Sequence, residues 1–358
     1  MKPRIEKIRQ ILAKEKLAAF VVFNHEDDNK NLFYLTHFSG SSGVLVVTKK
    51  QAFLFVDGRY KERARQEALH SRIVNTLRRE SSGEVIARAL RLGKVRKGAR
   101  VGYEGKRVSV LLEREWRKYV PAKMIPTDFL VERMRQCKDK REIAALSHAC
   151  KVTSAIFTEI SKRIHAGMRE CDIAAEIDHR LRKAGATAPS FPTIVAGGQN
   201  SALPHHKTGN RRVRAGEPVV IDFGGVFESS YCSDLTRTIF VPGKKPSKKL
   251  MEIYDIVLAA NKKAFRDVKP GMSWKNYDAI ARDYIAKSGY GKEFLHGLGH
   301  SLGLEAHDPY NYKNDPITTG TVFTNEPGVY LLGLGGVRIE DDLVMTKSGP
   351  KRLTNTPQ

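Results

Sequence analysis

The sequence lacks an apolar run of the roughly 20 residues that a membrane-spanning helix needs. Its first 20 residues carry charges at helical spacing and no long apolar stretch, so we expect a first helix of the fold rather than a signal peptide. It has only four cysteines, none in CxxC spacing. These absences argue against a membrane protein and a disulfide framework, and they favour a reduced, cytoplasmic protein.

Acidic residues are scarce relative to basic ones: 39 Asp and Glu against 62 Lys and Arg give a formal net charge of +23. Residues 1–130 carry 28 basic and 14 acidic side chains, and the remainder carries 34 and 25. A positive surface can attract nucleic acid. No aromatic-interleaved basic motif accompanies the charge, so we interpret it as surface solvation and do not expect a nucleic-acid partner.

The first part of the chain alternates strand-like and helix-like segments. Its predicted strands are short apolar runs at residues 18–23, 43–48, 52–56 and 101–103. The second and third runs read as a hairpin, and helical segments are expected at 61–69 and 110–120. We therefore predict an α/β domain over residues 1–127, a normal domain size.

The second part begins with long helices. Apolar residues at helical spacing predict helices over 138–165 and 171–183, and a helix pair is expected near 247–288. The rest is rich in strands and glycine. We predict a second domain over residues 128–358.

Two aspartates, Asp222 and Asp234, lie in the segment VVIDFGGVFESSYCSDLTRT, which reads as a hairpin. Their even separation of twelve residues places both on one face of an ideal hairpin. Facing carboxylates in apolar surroundings are costly unless they bind a cation. The pattern is compatible with a divalent metal; two exposed aspartates are the alternative.

Three histidines, His296, His300 and His307, lie within the glycine-rich segment FLHGLGHSLGLEAHD. Imidazole is a common ligand of first-row divalent metals, so the cluster favours a site over isolated core or surface histidines.

Two glutamates complete the set: Glu326 in VFTNEPGVY and Glu340 in GVRIEDDLV, both expected on strands. Arg338 precedes Glu340 by two residues, so an ion pair between them is the alternative. Two aspartates, a histidine and two glutamates suit a paired Mn²⁺, Co²⁺ or Zn²⁺ site better than a structural zinc.

This ordered set resembles the creatinase and prolidase family of metallopeptidases, which includes prolidase, aminopeptidase P and methionine aminopeptidase. The segments FYLTHFSGSSGVLVVT and FLFVDGRY resemble the N-terminal domain of its Xaa-Pro peptidases, and SFPTIVAGGQNSALPHH resembles the start of their catalytic half. The resemblance covers nearly the whole chain. It implies an α/β (α+β) architecture, in which a creatinase-like α/β domain precedes a pita-bread catalytic domain.

The resemblance implies two bound divalent metal ions, with Mn²⁺ preferred over Co²⁺ or Zn²⁺. Asp222 would chelate one ion, and Asp234 and Glu340 would bridge both. His300 and Glu326 would complete the second site.

The resemblance also implies a set of catalytic side chains: His205, His296, His307, Glu326, Tyr330 and Arg338. Glu326 would carry a proton from the nucleophile towards the leaving nitrogen. His307 would hydrogen-bond the oxyanion, and His205 or His296 would hold the substrate backbone. The remaining two would support the site.

One departure concerns the aspartate spacing, because the family usually has eleven steps where this chain has twelve. We expect the extra residue to enlarge the turn at 225–230 or to form a bulge there. A shifted register would instead turn one aspartate away from the site.

The implied reaction is hydrolysis of the bond between a first residue and a following proline in peptide substrates, by a homodimer. A dipeptidase must bind a free carboxylate, best done by arginine. In residues 309–325, where prolidases usually have that arginine, Lys313 is the only cation. We therefore expect an aminopeptidase P, with an Xaa-Pro dipeptidase as the alternative. A non-catalytic binding protein on the same fold is a further alternative.

Overall fold

The computed structural model describes residues 4–26, 29–227 and 229–357. Residues 1–3 of the predicted first helix and residue 228 of the predicted turn lie outside this part. One compact unit ends at Met134 and a second begins at Arg135. The domain limits 1–127 and 128–358 stay predictions. Among the described residues, no helix combines the length and hydrophobicity that crossing a membrane requires.

The first unit is built on a six-stranded sheet. Its strands are β1 (Ala19–His25), β2 (Ser42–Thr48), β3 (Ala52–Val56), β4 (Arg72–Asn75), β5 (Arg100–Glu104) and β6 (Lys123–Thr127). The spatial order is β4-β3-β2-β1-β5-β6, and β2 runs antiparallel to both of its neighbours. The predicted hairpin of β2 and β3 is therefore confirmed. Most apolar and aromatic side chains on β1, β2, β3 and β5 are buried, as a sheet that packs helices requires.

Short helices follow or precede these strands along the chain. They are α1 (Arg4–Lys14), α2 (Lys30–Thr36), α3 (Lys61–Glu67), α4 (Ser82–Leu92), α5 (Val110–Tyr119) and α6 (Leu130–Gln136). α4 begins with a capping box in which Ser81 and Glu84 exchange hydrogen bonds. Of these, α2, α4 and α6 have no counterpart in the sequence prediction.

The second unit has two halves of similar construction. The elements of its first half are α7 (Lys140–Ser161), α8 (Glu170–Lys183), β7 (Ala188–Pro189), β8 (Ile194–Gly197), β9 (Pro218–Phe223), β10 (Gly225–Val226) and β11 (Leu235–Phe240). The two helices pack on the sheet β11-β9-β8 through a shared apolar core. α7 lies inside the range predicted for it, 138–165, and α8 begins one residue before its predicted range of 171–183.

The second half repeats this plan. Its elements are α9 (Lys248–Asp267), α10 (Trp274–Lys287), β12 (Val322–Asn325), β13 (Gly328–Leu331), β14 (Gly335–Arg338), β15 (Asp341–Thr346) and β16 (Gly349–Arg352). The helix pair, expected near 247–288, packs on the sheet β12-β15-β16 and on the hairpin β13-β14.

The two halves are joined along β11. The backbone N–H of Glu340 donates to the carbonyl of Thr236 at 3.0 Å. The Thr238 hydroxyl accepts from the backbone N–H of Arg338 and donates to its carbonyl, each at 3.0 Å. Acidic residues from both halves therefore approach one another at this join.

Candidate metal centre and active site

The five predicted metal-binding side chains line a single cavity of about 820 Å³ in the second unit. Asp222 lies in β9 and Asp234 directly precedes β11, so both come from the first half. His300 follows α10, Glu326 follows β12 and Glu340 lies between β14 and β15. Glu326, predicted at the end of a strand, directly follows β12. Glu340, predicted within a strand, lies instead in the two-residue break between β14 and β15.

The register of β9 and β11 accounts for the spacing of the aspartates. Asp222 pairs with Thr236, so Asp234, two residues earlier, lies on the same face as that threonine. The same register continues to a bridge between Val226 and Cys232. The register is therefore continuous from the two strands to this bridge, and no register shift turns either aspartate away.

Three of the five side chains bring a ligand atom close together. Single atoms of Asp234, His300 and Glu340 all lie within 4.8 Å of one another. The Nε2 atom of His300 is 3.7 Å from Asp234 Oδ2 and 3.3 Å from Glu326 Oε1. These are separations that one cation could bridge.

The carboxylates of the cavity are poorly compensated by the protein itself. Burial and then the negative charge of Glu340 raise the pKa of Asp234 well above its usual range, and burial also raises the pKa of Glu340 and Glu326. Among the described residues, Asp222 Oδ1 and Glu340 Oε1 are buried without a hydrogen-bond partner. Unpaired carboxylate oxygens beside an imidazole form a donor set that fits divalent cations.

A hydrogen-bonded network fixes two of these carboxylates. The Thr236 hydroxyl donates to Glu340 Oε2 at 2.6 Å and accepts from Arg338 Nε at 3.1 Å. The guanidinium also donates to Asp222 Oδ2 at 2.6 Å and to the Tyr330 hydroxyl at 2.9 Å. The alternative of an Arg338–Glu340 ion pair is therefore wrong, since the arginine pairs with Asp222 across the join.

The predicted histidines lie around the same cavity. His296 Nε2 is 2.8 Å from the Tyr330 hydroxyl, and His205 is an exposed residue of the lining. The His307 ring stacks on His300 with centroids 3.8 Å apart. Burial and the neighbouring His300 lower the pKa of His307 to about 4, so this ring is neutral near pH 7. Of the predicted side chains, only Tyr330 does not line the cavity; it reaches the site through His296 and Arg338.

Sequence reasoning missed Asp342, a buried neighbour of the site. Its Oδ2 accepts from the backbone N–H of Asp234 at 2.9 Å and from the Cys150 thiol at 3.1 Å. Burial raises its pKa to about 8. The run IEDDLV, which places three acids in an apolar strand, is the signal that could have identified it.

Also missed were the apolar wall of the cavity and a cation beside it. Phe191, Pro192 and Ile194 line one side, and Lys207 lies at the same cavity. A cavity of this volume that combines apolar surface with convergent polar and charged groups is typical of small-molecule sites.

Comparisons with known proteins place this geometry in a family. The model of metallopeptidase family M24 matches residues 144–347, and that of the creatinase/prolidase N-terminal domain matches residues 4–137. The expected architecture, a creatinase N-terminal domain followed by a pita-bread domain, is confirmed.

Relatives that match over nearly their whole length support the same family assignment. An Xaa-Pro dipeptidase of Pyrococcus horikoshii is 34% identical over 99% of this chain and 98% of its own. The solved structure of an Xaa-Pro dipeptidase from Bacillus anthracis is 35% identical, covers 99% of this chain and 98% of its own, and has a TM-score of 0.92. An X-Pro aminopeptidase structure from Thermotoga maritima is 34% identical with the same coverage and a TM-score of 0.89. The chain therefore belongs to metallopeptidase family M24.

Proposed function

We propose that this metallopeptidase is an Xaa-Pro dipeptidase, which hydrolyses a dipeptide whose second residue is proline. The observation that carries the proposal is the convergence of five metal-ligating side chains in a cavity with an apolar wall. Full-length similarity to proteins named Xaa-Pro dipeptidase supports the choice of substrate. This replaces the aminopeptidase P expected from the sequence, which these relatives do not support.

The side chains proposed to hold two divalent ions, Mn²⁺ by preference, are Asp222, Asp234, His300, Glu326 and Glu340. Bound ions of this kind supply a water of lowered pKa and polarise the scissile carbonyl. The unpaired oxygens of Asp222 and Glu340 support this assignment because a buried carboxylate oxygen otherwise lacks compensation.

Glu326 is proposed to move the proton of the attacking water. Cleavage of a peptide bond before proline converts the tertiary amide nitrogen into a secondary amine, which must gain a proton. A carboxylate at this position can accept the proton of the water and pass it to that nitrogen. The hydroxyl of Thr324, which donates to Glu326 Oε1 at 2.9 Å, orients the group.

The neutral ring of His307 is proposed to donate a hydrogen bond to the oxyanion, with His205 or His296 on the substrate backbone. The contact between His296 and Tyr330 holds this imidazole in place. The ring of the substrate proline would pack on Phe191, Pro192 and Ile194. A proline has no N–H, so an apolar wall leaves no donor unpaired.

A second candidate, an Xaa-Pro aminopeptidase, is favoured by one comparison, the Thermotoga maritima structure. The absence of arginine from residues 309–325 also favours it. The homodimer and the manganese preference remain proposals from the resemblance, and the cytoplasmic location remains a proposal from the cysteine pattern.

Hydrolysis of Ala-Pro and of Ala-Pro-Ala, each with Mn²⁺ or with EDTA, tests the proposal. We expect metal-dependent cleavage with a clear preference for the dipeptide. The variant Asp234→Asn should abolish turnover, whereas Asp255→Asn, the same change at an exposed position of α9, should leave it unchanged. Preference for the tripeptide would establish the aminopeptidase instead. Cleavage of neither substrate, together with an absence of bound metal, would favour the binding protein.

A further inference from the structure

The cavity contains a second cation besides the arginine of its hydrogen-bonded network. Two of its lining residues, Arg338 and Lys207, carry a permanent positive charge. Arg338 is occupied by Asp222, Tyr330 and Thr236. Lys207 is exposed, and within the described ranges it forms neither a hydrogen bond nor an ion pair. Its ammonium group is thus available to a ligand.

The backbone on both sides of this lysine is held firmly. On one side, His206 Nε2 lies 2.9 Å from Oε2 of the fully buried Glu170. On the other side, the Thr208 hydroxyl accepts from the backbone N–H of Val195 at 2.8 Å and donates to the Thr193 carbonyl at 3.0 Å. These contacts fix the backbone of Lys207 relative to β8, while its side chain bonds to none of the residues that the structure describes.

The same threonine contacts connect Lys207 to the apolar wall. Thr193 and Ile194 belong to the segment that lines the cavity with Phe191 and Pro192. The cavity therefore presents buried carboxylates, an apolar wall and an unpaired ammonium group. A dipeptide is a zwitterion whose amine and carboxylate lie about 7 Å apart when extended. The two ends of such a substrate need opposite charges, and a proline ring near its carboxylate needs an apolar surface.

We propose that Lys207 binds the C-terminal carboxylate of the dipeptide and so selects dipeptides over longer peptides. This inference rests on the proposed Xaa-Pro dipeptidase activity. Lys207 would thus bind the free carboxylate, the role for which the sequence analysis expected an arginine in residues 309–325. Lys313, the cation of that segment, does not line the cavity.

Lys207→Met tests the proposal, because it keeps the aliphatic stem and removes the charge. The matched variant Lys313→Met makes the same change at an exposed lysine outside the cavity lining. Each protein is assayed with Ala-Pro and with Ala-Pro amide, which lacks the carboxylate. A charge-assisted hydrogen bond of this type changes the affinity for its partner by about 10-fold to 100-fold. We expect kcat/KM of Lys207→Met for Ala-Pro to fall by about that factor, mainly through KM, since the contact is made in the bound substrate as well as in the transition state.

The amide separates recognition of the carboxylate from a general loss of activity. Lys207→Met should cleave Ala-Pro amide as fast as the wild type does, and Lys207→Arg should recover most of the activity towards Ala-Pro. If wild-type protein prefers Ala-Pro but Lys207→Met keeps full activity, or if Lys313→Met alone loses it, the role of Lys207 is overturned while the dipeptidase stands. If wild-type protein prefers Ala-Pro-Ala, the dipeptidase proposal itself fails and the role assigned to Lys207 fails with it.

Discussion

Removal of one hydroxyl, in the variant Thr236→Val, should weaken metal binding without changing any proposed ligand. Thr236 is fully buried, and valine has nearly the same shape. The change deprives Glu340 Oε2 of a donor at 2.6 Å and Arg338 Nε of an acceptor at 3.1 Å. Loss of such a partner of a metal ligand lowers metal affinity by about 10-fold to 100-fold. Each buried group left unpaired also costs about 1–3 kcal/mol of stability.

Isothermal titration of metal-free protein with Mn²⁺ measures the first effect, and urea denaturation without metal measures the second. Thr238→Val is the matched control, because its hydroxyl lies on the same face of β11 and makes two 3.0 Å bonds to the backbone of Arg338. It should lose stability by a similar amount and keep its Mn²⁺ affinity. An unchanged Mn²⁺ affinity in Thr236→Val, or an equal loss of Mn²⁺ affinity in both variants, would refute the role of Thr236 in positioning Glu340.

Two further predictions concern buried ionisable groups outside the proposed ligand set. Asp308→Ala should lower the free energy of unfolding by about 3–5 kcal/mol in urea denaturation, because buried Arg135 and Lys138 lose the carboxylate that they contact at 2.5 and 3.2 Å; a loss below 1 kcal/mol would contradict this. Burial raises the pKa of Glu104 from 4.5 to about 7, so the folded protein keeps a proton that the unfolded chain releases. Stability should therefore fall by about 3 kcal/mol from pH 4.5 to pH 7. This pH-dependent loss of stability should be absent from Glu104→Gln. Identical profiles of unfolding free energy against pH in the wild type and in this variant would refute it.

Local signals in the sequence predicted much of the fold. Apolar spacing alone predicted a helix from residue 138, close to the observed start of α7 at Lys140, where Asp139 and Glu142 form a capping box. The even separation of Asp222 and Asp234 correctly placed both on one face of a hairpin. Such features depend on neighbours within one turn of a helix or one pair of strands. They can therefore be read without knowledge of the tertiary structure.

Contacts between distant segments could not be predicted in this way. An ion pair of Arg338 with Glu340, two residues away, was the alternative for that glutamate, but Arg338 pairs with Asp222 at the other side of the join. Thr236 positions Glu340 across more than a hundred residues of chain, and nothing in its local sequence indicates this. The two halves of the catalytic unit must pack before either contact exists.

The preference for an aminopeptidase, which the relatives named Xaa-Pro dipeptidase do not support, rested on similarly local evidence. It depended on the lack of arginine in one segment, residues 309–325. A carboxylate-binding cation can, however, come from any segment that reaches the cavity. Lys207 reaches it because Glu170, at the start of α8, anchors the adjacent His206. That anchor lies more than thirty residues away in the chain and becomes apparent only in the folded structure.

Side chains from both halves of the catalytic unit are proposed to hold a pair of divalent ions together. Equilibrium dialysis of metal-free protein against Mn²⁺, followed by elemental analysis, tests this proposal most directly. We predict two bound ions per chain in the wild type and fewer in Glu340→Gln, which removes a proposed bridging carboxylate. A wild-type protein that binds no Mn²⁺, Co²⁺ or Zn²⁺, or a variant that retains both ions at unchanged affinity, would contradict the account.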